Sequence, residues 1–96
     1  MMIEKIGKAA MLEQAAEECT ELAKALLKRA RIERKENPTP VTEEAADKDV
    51  REEATDVIQC LRELGIQPDE DQIRMKEQRF QDRWEDNKND RQGFFK

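Results

Sequence analysis

Residues 9–35 read AAMLEQAAEECTELAKALLKRARIERK, with no glycine or proline to interrupt them. Apolar side chains recur there at Leu12, Ala15, Cys19, Leu22 and Leu26. Spacings of three and four residues put such positions on one side of a 3.6-residue turn, so this stretch is expected to be a helix with a core-facing stripe. The short segment before it, with Ile3, Ile6 and Gly7, is expected to be a separate short helix or an arm.

Working outward, the rest of the chain also reads as helix. Glu36-Asn37-Pro38-Thr39-Pro40-Val41 ends the first helix, because proline neither continues a helix nor lets its predecessor do so. Thr42 is placed to cap a second helix, with Glu43 and Glu44 in its first turn; Asp47 is the alternative cap for a later start. That helix carries Val50, Val57, Cys60, Leu61 and Leu64 as its stripe, and it should end near Leu64, where Gly65 and Pro68 follow. Asp69 caps a third helix, with Gln72 three residues on and a narrow stripe of Ile73, Phe80 and Trp84. The tail, residues 90–96, is expected to be loosely ordered, with Phe94 and Phe95 available to dock on a neighbour. No stretch alternates as a strand would.

The expected fold class is therefore all-α: one domain over 1–96, core about 9–88, built as an antiparallel helical bundle because short connections join long helices. The chain has 96 residues, 36% hydrophobic and 43% charged, with 4% aromatic. A domain this small buries only about 60–65% of the surface of its unfolded chain. Completion by homo-oligomerisation, as a dimer or tetramer, is expected for that reason.

Composition also excludes. A net charge of −5 argues against a non-specific nucleic-acid binder. No apolar run approaches the ~20 residues of a membrane span. Residues 1–10 hold Glu4, Lys5 and Lys8 and lack a signal-peptide core, so a cytoplasmic protein is expected. Cys19 and Cys60 are too few and too far apart for a zinc or redox motif and are expected to be two small buried thiols. With no histidine, imidazole catalysis and the Glu-x-x-His di-iron bundle are ruled out.

Four acids stand apart from the other charges. Glu18 and Glu21 lie on the first long helix, Glu53 and Asp56 on the second. Each pair is spaced i, i+3, which puts both carboxylates on one helical face. Pairs such as Glu33 and Glu36 have the same spacing, but the chosen four lie against the apolar stripes, Glu53 among Ala46, Val57, Cys60 and Leu64. An ionised carboxylate in such a place is costly unless neutralised. A protonated acid, a basic partner such as Lys24, Lys28 or Arg62, and a divalent metal are the three ways to do so. On the last helix Lys76, Arg83 and Asn87 share one flank of the apolar stripe, with Arg79 further round.

Glu17-Glu18-Cys19-Thr20-Glu21-Leu22, followed by Glu52-Glu53-Ala54-Thr55-Asp56-Val57, resembles the paired Glu-x-x-Glu and Glu-x-x-Asp signature of the MazG-like all-alpha nucleoside triphosphate pyrophosphohydrolases. Lys76-x-x-Arg79-x-x-x-Arg83 resembles that family's C-terminal basic element. The likeness spans about residues 9–86, with a spacer longer than is common. It implies hydrolysis of a nucleoside triphosphate to the monophosphate and pyrophosphate, with Mg²⁺ (or Mn²⁺) held by Glu18, Glu21, Glu53 and Asp56. On this reading Glu17 or Glu21 takes the proton of the attacking water. Lys76, Arg79 and Arg83 hold phosphate oxygens, Lys28 assists, and Trp84 is a candidate to stack on the base. The alternatives are a non-enzymatic dimerisation module and a metal or nucleotide sensor with decayed activity.

Overall fold

The structure is a computed structural model describing residues 1–35 and 40–94, for 89–94 the backbone only. It contains four helices, α1 (Met2–Ile6), α2 (Lys8–Arg34), α3 (Glu43–Glu63) and α4 (Glu70–Phe94), and no strand among the described residues. They form two units, Met1–Ile66 and Gln67–Lys96.

In the first unit α2 and α3 run antiparallel. Met11 and Ala15 of α2 pack with Cys60 of α3 in one cluster, joined by Ile3 and Leu64. At the far end of the pair Arg29 of α2 meets Glu43 and Asp47 of α3. The seam follows a heptad on both helices. On α2 the buried and half-buried positions include Met11, Ala15, Glu18, Leu22, Ala25, Arg29 and Ile32; on α3 they include Ala46, Val50, Glu53, Val57, Cys60 and Leu64. Alternating spacings of four and three keep each set facing its partner.

The observed α2 face is not the stripe Leu12–Ala15–Cys19–Leu22–Leu26. Leu12 is 47% exposed and Leu26 49% exposed. Cys19 is exposed too, so only Cys60 is a buried thiol. Ala15 is buried as expected and Leu22 half-buried, but Met11 is buried beside Ala15, while Leu12, Cys19 and Leu26 turn outward. Buried positions are small or unbranched (Met11, Ala15, Ala46, Cys60), which suits closely packed helices.

Local chemistry sets the ends. Thr42 Oγ1 accepts from the Ala45 N–H at 3.1 Å, so α3 starts at Glu43 rather than at an Asp47 cap. Gly65, at φ 68°, takes the left-handed conformation that ends α3, and the Ile66 N–H donates back to the Leu61 carbonyl at 2.9 Å. Gly7, at φ 90°, turns the chain from α1 into α2. A five-residue helix is marginal alone. α1 is held because the Met2 and Ile3 N–H groups donate to the Glu63 carboxylate, both at 3.2 Å.

In the second unit, Asp69 Oδ1 accepts from the Asp71 and Gln72 N–H groups at 2.9 and 3.1 Å, which starts α4. The stripe on this helix is exposed, with Ile73 at 44%, Phe80 at 72% and Trp84 at 59%. The α4 backbone stays helical to Phe94, while the side chain of Phe94 and all of Phe95 and Lys96 lie outside the described residues. So do residues 36–39 of the loop expected to stop the first helix. No helix among the described residues is long and apolar enough to cross a membrane.

Candidate functional site

Glu18 and Glu53 occupy facing heptad positions in the α2–α3 seam, and Asp56 sits one turn beyond Glu53. Antiparallel packing joins them: Glu18, Glu53 and Asp56 each offer a carboxylate oxygen, and the three oxygens lie within 4.8 Å of one another. Glu18 and Glu53 are half-buried, Asp56 exposed. Gln14 Nε2 donates to Glu18 Oε1 at 2.8 Å and fixes that carboxylate from the preceding turn. No lysine or arginine among the described residues forms an ion pair with any of the three.

Burial pushes the Glu53 carboxyl above its ordinary range, and the neighbouring charges of Asp56, Glu18, Glu21 and Glu52 push the same way. Burial also raises the Cys60 thiol, helped by Glu18 and Asp56, so this cysteine stays protonated.

Two grooves flank the cluster. The first, of ≈ 450 Å³, includes Met2, Met11, Gln14 and Cys60 in its lining and is bordered by Glu18 and Asp56. The second, of ≈ 360 Å³, is lined by Lys24, Lys28 and Arg31 of α2 and by three acids, Glu21, Asp49 and Glu53. The cluster thus borders both a recess that carries apolar side chains and two amides, Gln14 and Gln59, and a groove of mixed charge.

The remaining expected site residues fall as follows. Glu21 is not in the group of three; its carboxylate pairs with Lys24 at 3.4 Å and borders the second groove. Glu17 is exposed on α2. Lys28 is half-buried and lines the second groove. Lys76, Arg79 and Arg83 share one recess with Phe80 on α4, and Trp84 shares another with Phe80. Gln14 and Arg31 were not among the expected residues, and Lys24 was expected only as a basic partner of the acids, as which it pairs with Glu21. The spacing i, i+4, i+7 of Lys24, Lys28 and Arg31 could have signalled a shared face.

Chemically, three oxygen donors converge from two helices with no cation of the chain among them, the donor type that could hold a hard divalent ion together with waters or further ligands. Comparison with family models, curated proteins and solved structures finds no match to this chain.

Proposed function

We propose that the protein is a Mg²⁺-dependent nucleoside triphosphate pyrophosphohydrolase, cleaving (d)NTP to (d)NMP and pyrophosphate. The observation that carries the reading is the convergence of Glu18, Glu53 and Asp56 within 4.8 Å across the helix pair. The likeness to the paired signature of the MazG-like family supports the reaction class. Glu18, Glu53 and Asp56 would hold the ion, with Glu21 near enough to complete the set or to act as base. Mg²⁺ (or Mn²⁺) bound there would offset phosphate charge and lower the pKa of a bound water.

The chain's own residues do the rest. Glu21 borders the groove that Glu53 lines, and is better supported than Glu17, which lines neither groove, as acceptor of the water's proton. The water oxygen bonds to the α-phosphorus, and the bond from that phosphorus to the oxygen bridging it to the β-phosphorus breaks. The proton passes to the carboxylate, and pyrophosphate leaves. Lys76, Arg79 and Arg83 are candidates for phosphate contacts from α4, and Trp84, at 59% exposure, for stacking on a base. The substrate is a soluble nucleotide and the setting cytoplasmic, with nucleotide-pool house-cleaning as the role that fits this reaction.

Assembly as a homodimer or tetramer belongs to the same proposal. Leu26, Leu27, Ile58, Phe80 and Trp84 are between 49% and 72% exposed, surface that a second copy would cover. That exposure also favours the second reading, a non-enzymatic interaction module.

A panel of NTPs and dNTPs with Mg²⁺, followed by phosphorus NMR, separates the two. Pyrophosphate as the first product is expected, and Glu53→Gln should lower turnover by about 10²–10³-fold with its helical circular dichroism intact. Unchanged turnover in that variant, or orthophosphate released first, would overturn the proposal.

A further inference from the structure

α1 differs from the α2–α3 pair in how little holds it. It has five residues, none of them buried, and so short a helix is not stable alone. Ile3 is its one half-buried side chain, packed against the cluster of Met11, Ala15 and Cys60. Its first N–H groups reach the pair through the Glu63 carboxylate, by two 3.2 Å bonds, and the one from Met2 is exposed to solvent. At the other end Gly7, at φ 90°, joins α1 to α2, and a Cβ built there would meet nothing within 4 Å. A single half-buried side chain, a tie open to water and an unpacked glycine joint mark a segment that opens at lower free energy than the body of a fold.

What α1 covers gives that opening a consequence. Met2 and Ile6 help to line the ≈ 450 Å³ recess that Glu18 and Asp56 border. With α1 seated, Met11 is 4% and Cys60 8% exposed. We propose that α1 is a hinged cover on this recess, with Gly7 as its joint, Ile3 as its plug and the Glu63 carboxylate as its latch, and that it lifts while α2 and α3 stay paired. Lifting takes Met2 and Ile6 out of the recess wall, uncovers Met11 and the Cys60 thiol, and widens the approach to Glu18 and Asp56. None of this requires an ion or a nucleotide at the acids.

The Cys60 thiol reports the motion. Cys19→Ser removes the exposed thiol from the full chain and leaves Cys60 as the only one. The rate at which Cys60 reacts with an aromatic disulfide reagent is then followed at fixed pH, in urea concentrations below the unfolding transition. A cover that lifts alone exposes little surface, so the rate should be nearly flat in urea; global unfolding exposes much and would make it climb steeply. Ile3→Ala removes the plug and should speed the reaction by about tenfold or more. Gly7→Ala puts a Cβ on a left-handed backbone and should speed it about tenfold. Gly7 does not line the recess, so that variant acts through α1. Met75→Ala, at an exposed position on α4, should change the rate by less than about twofold. Glu63 is left in place because its charge also acts on the Cys60 thiol. A steep urea dependence in the Cys19→Ser parent, or a flat one with either the Ile3 or the Gly7 variant reacting at the parent rate, would overturn the proposal.

Discussion

At one end of the α2–α3 seam Arg29 gathers three acids; nearer the other end Glu18, Glu53 and Asp56 gather with no lysine or arginine among them. Arg29 lies 2.9 Å from Glu33, 2.9 Å from Glu43 and 2.5 Å from Asp47, and its side chain is only 21% exposed. Its guanidinium is held still more firmly protonated, chiefly by the hydrogen bond to Asp47, although burial works the other way. Both clusters straddle the same two helices, and Glu18 and Arg29 occupy the two alternate seam positions of the α2 heptad, about 16 Å apart along the helix. Where this chain needs charge neutralised for architecture alone, it supplies the cation covalently. At Glu18 and Glu53 it supplies only acids, and Glu53 stays poised above its ordinary pKa. The difference is between three acids that share one guanidinium and three acids that have no lysine or arginine among them.

The comparison breaks most visibly at the Arg29 end. Arg29→Met strands Glu33, Glu43 and Asp47 around an apolar side chain and unties α3 from α2. A thermal midpoint well below wild type is expected, and Mg²⁺ should not restore it. Lys24→Met is the reference, because it removes only the exposed 3.4 Å pair with Glu21, worth about 0–1 kcal/mol. If circular dichroism melts show equal losses for the two variants, the Arg29 cluster is not the anchor that its geometry suggests.

The other end can be given a guanidinium of its own. Gln14 already reaches Glu18 at 2.8 Å, so Gln14→Arg would place a guanidinium against the acids. The metal-free protein should melt higher, and Mn²⁺ affinity should fall by about tenfold or more, since a unit charge at 4 Å interacts by about 4 kcal/mol at intermediate dielectric. A variant that binds Mn²⁺ as wild type does would mean that the three carboxylates are not the ligands.

The same two clusters show what could be read from the sequence. The helix boundaries at Thr42, Gly65 and Asp69 came through because their signals are local, each acting through the hydrogen bonds or dihedrals of adjacent residues, whereas α4 runs on to Phe94 through residues expected to be loosely ordered. The face that α2 buries did not. A stripe chosen by hydrophobicity runs through Leu12, Cys19 and Leu26, whereas the seam runs through Met11, Glu18, Ala25 and Arg29. Two of its members are charged, so a rule that seeks apolar residues steps one position aside. The acids at Glu18, Glu53 and Asp56 were legible because i, i+3 spacing and position against the stripe depend on one helix at a time. Arg29 as a hub was not, since its partners Glu43 and Asp47 lie across a loop whose path no local pattern encodes. Nor was the exposure of Ile73, Phe80 and Trp84, because a stripe shows what a helix can bury and not what covers it.

The subtlest contrast between the two ends is in pH. Glu53 titrates above its ordinary value of 4.5 in the folded chain, through burial first and then Asp56 and Glu52 on α3 and Glu18 and Glu21 on α2. The folded state therefore holds that proton more tightly than the unfolded state. The stability it contributes is fully present below 4.5 and is lost as pH rises through the higher folded value. Glu53→Gln has no such titration. Without metal, the stability of wild type relative to Glu53→Gln should fall as pH climbs out of the acid range. With saturating Mn²⁺ the sign should invert, because a ligated carboxylate must be deprotonated and wild type alone gains from the ion. Parallel urea melts of the two proteins from pH 4 to 7, with and without Mn²⁺, would show two lines that cross. Lines that stay superimposed on adding Mn²⁺ would leave Glu53 as a strained acid in a helix seam, with no ion to answer it.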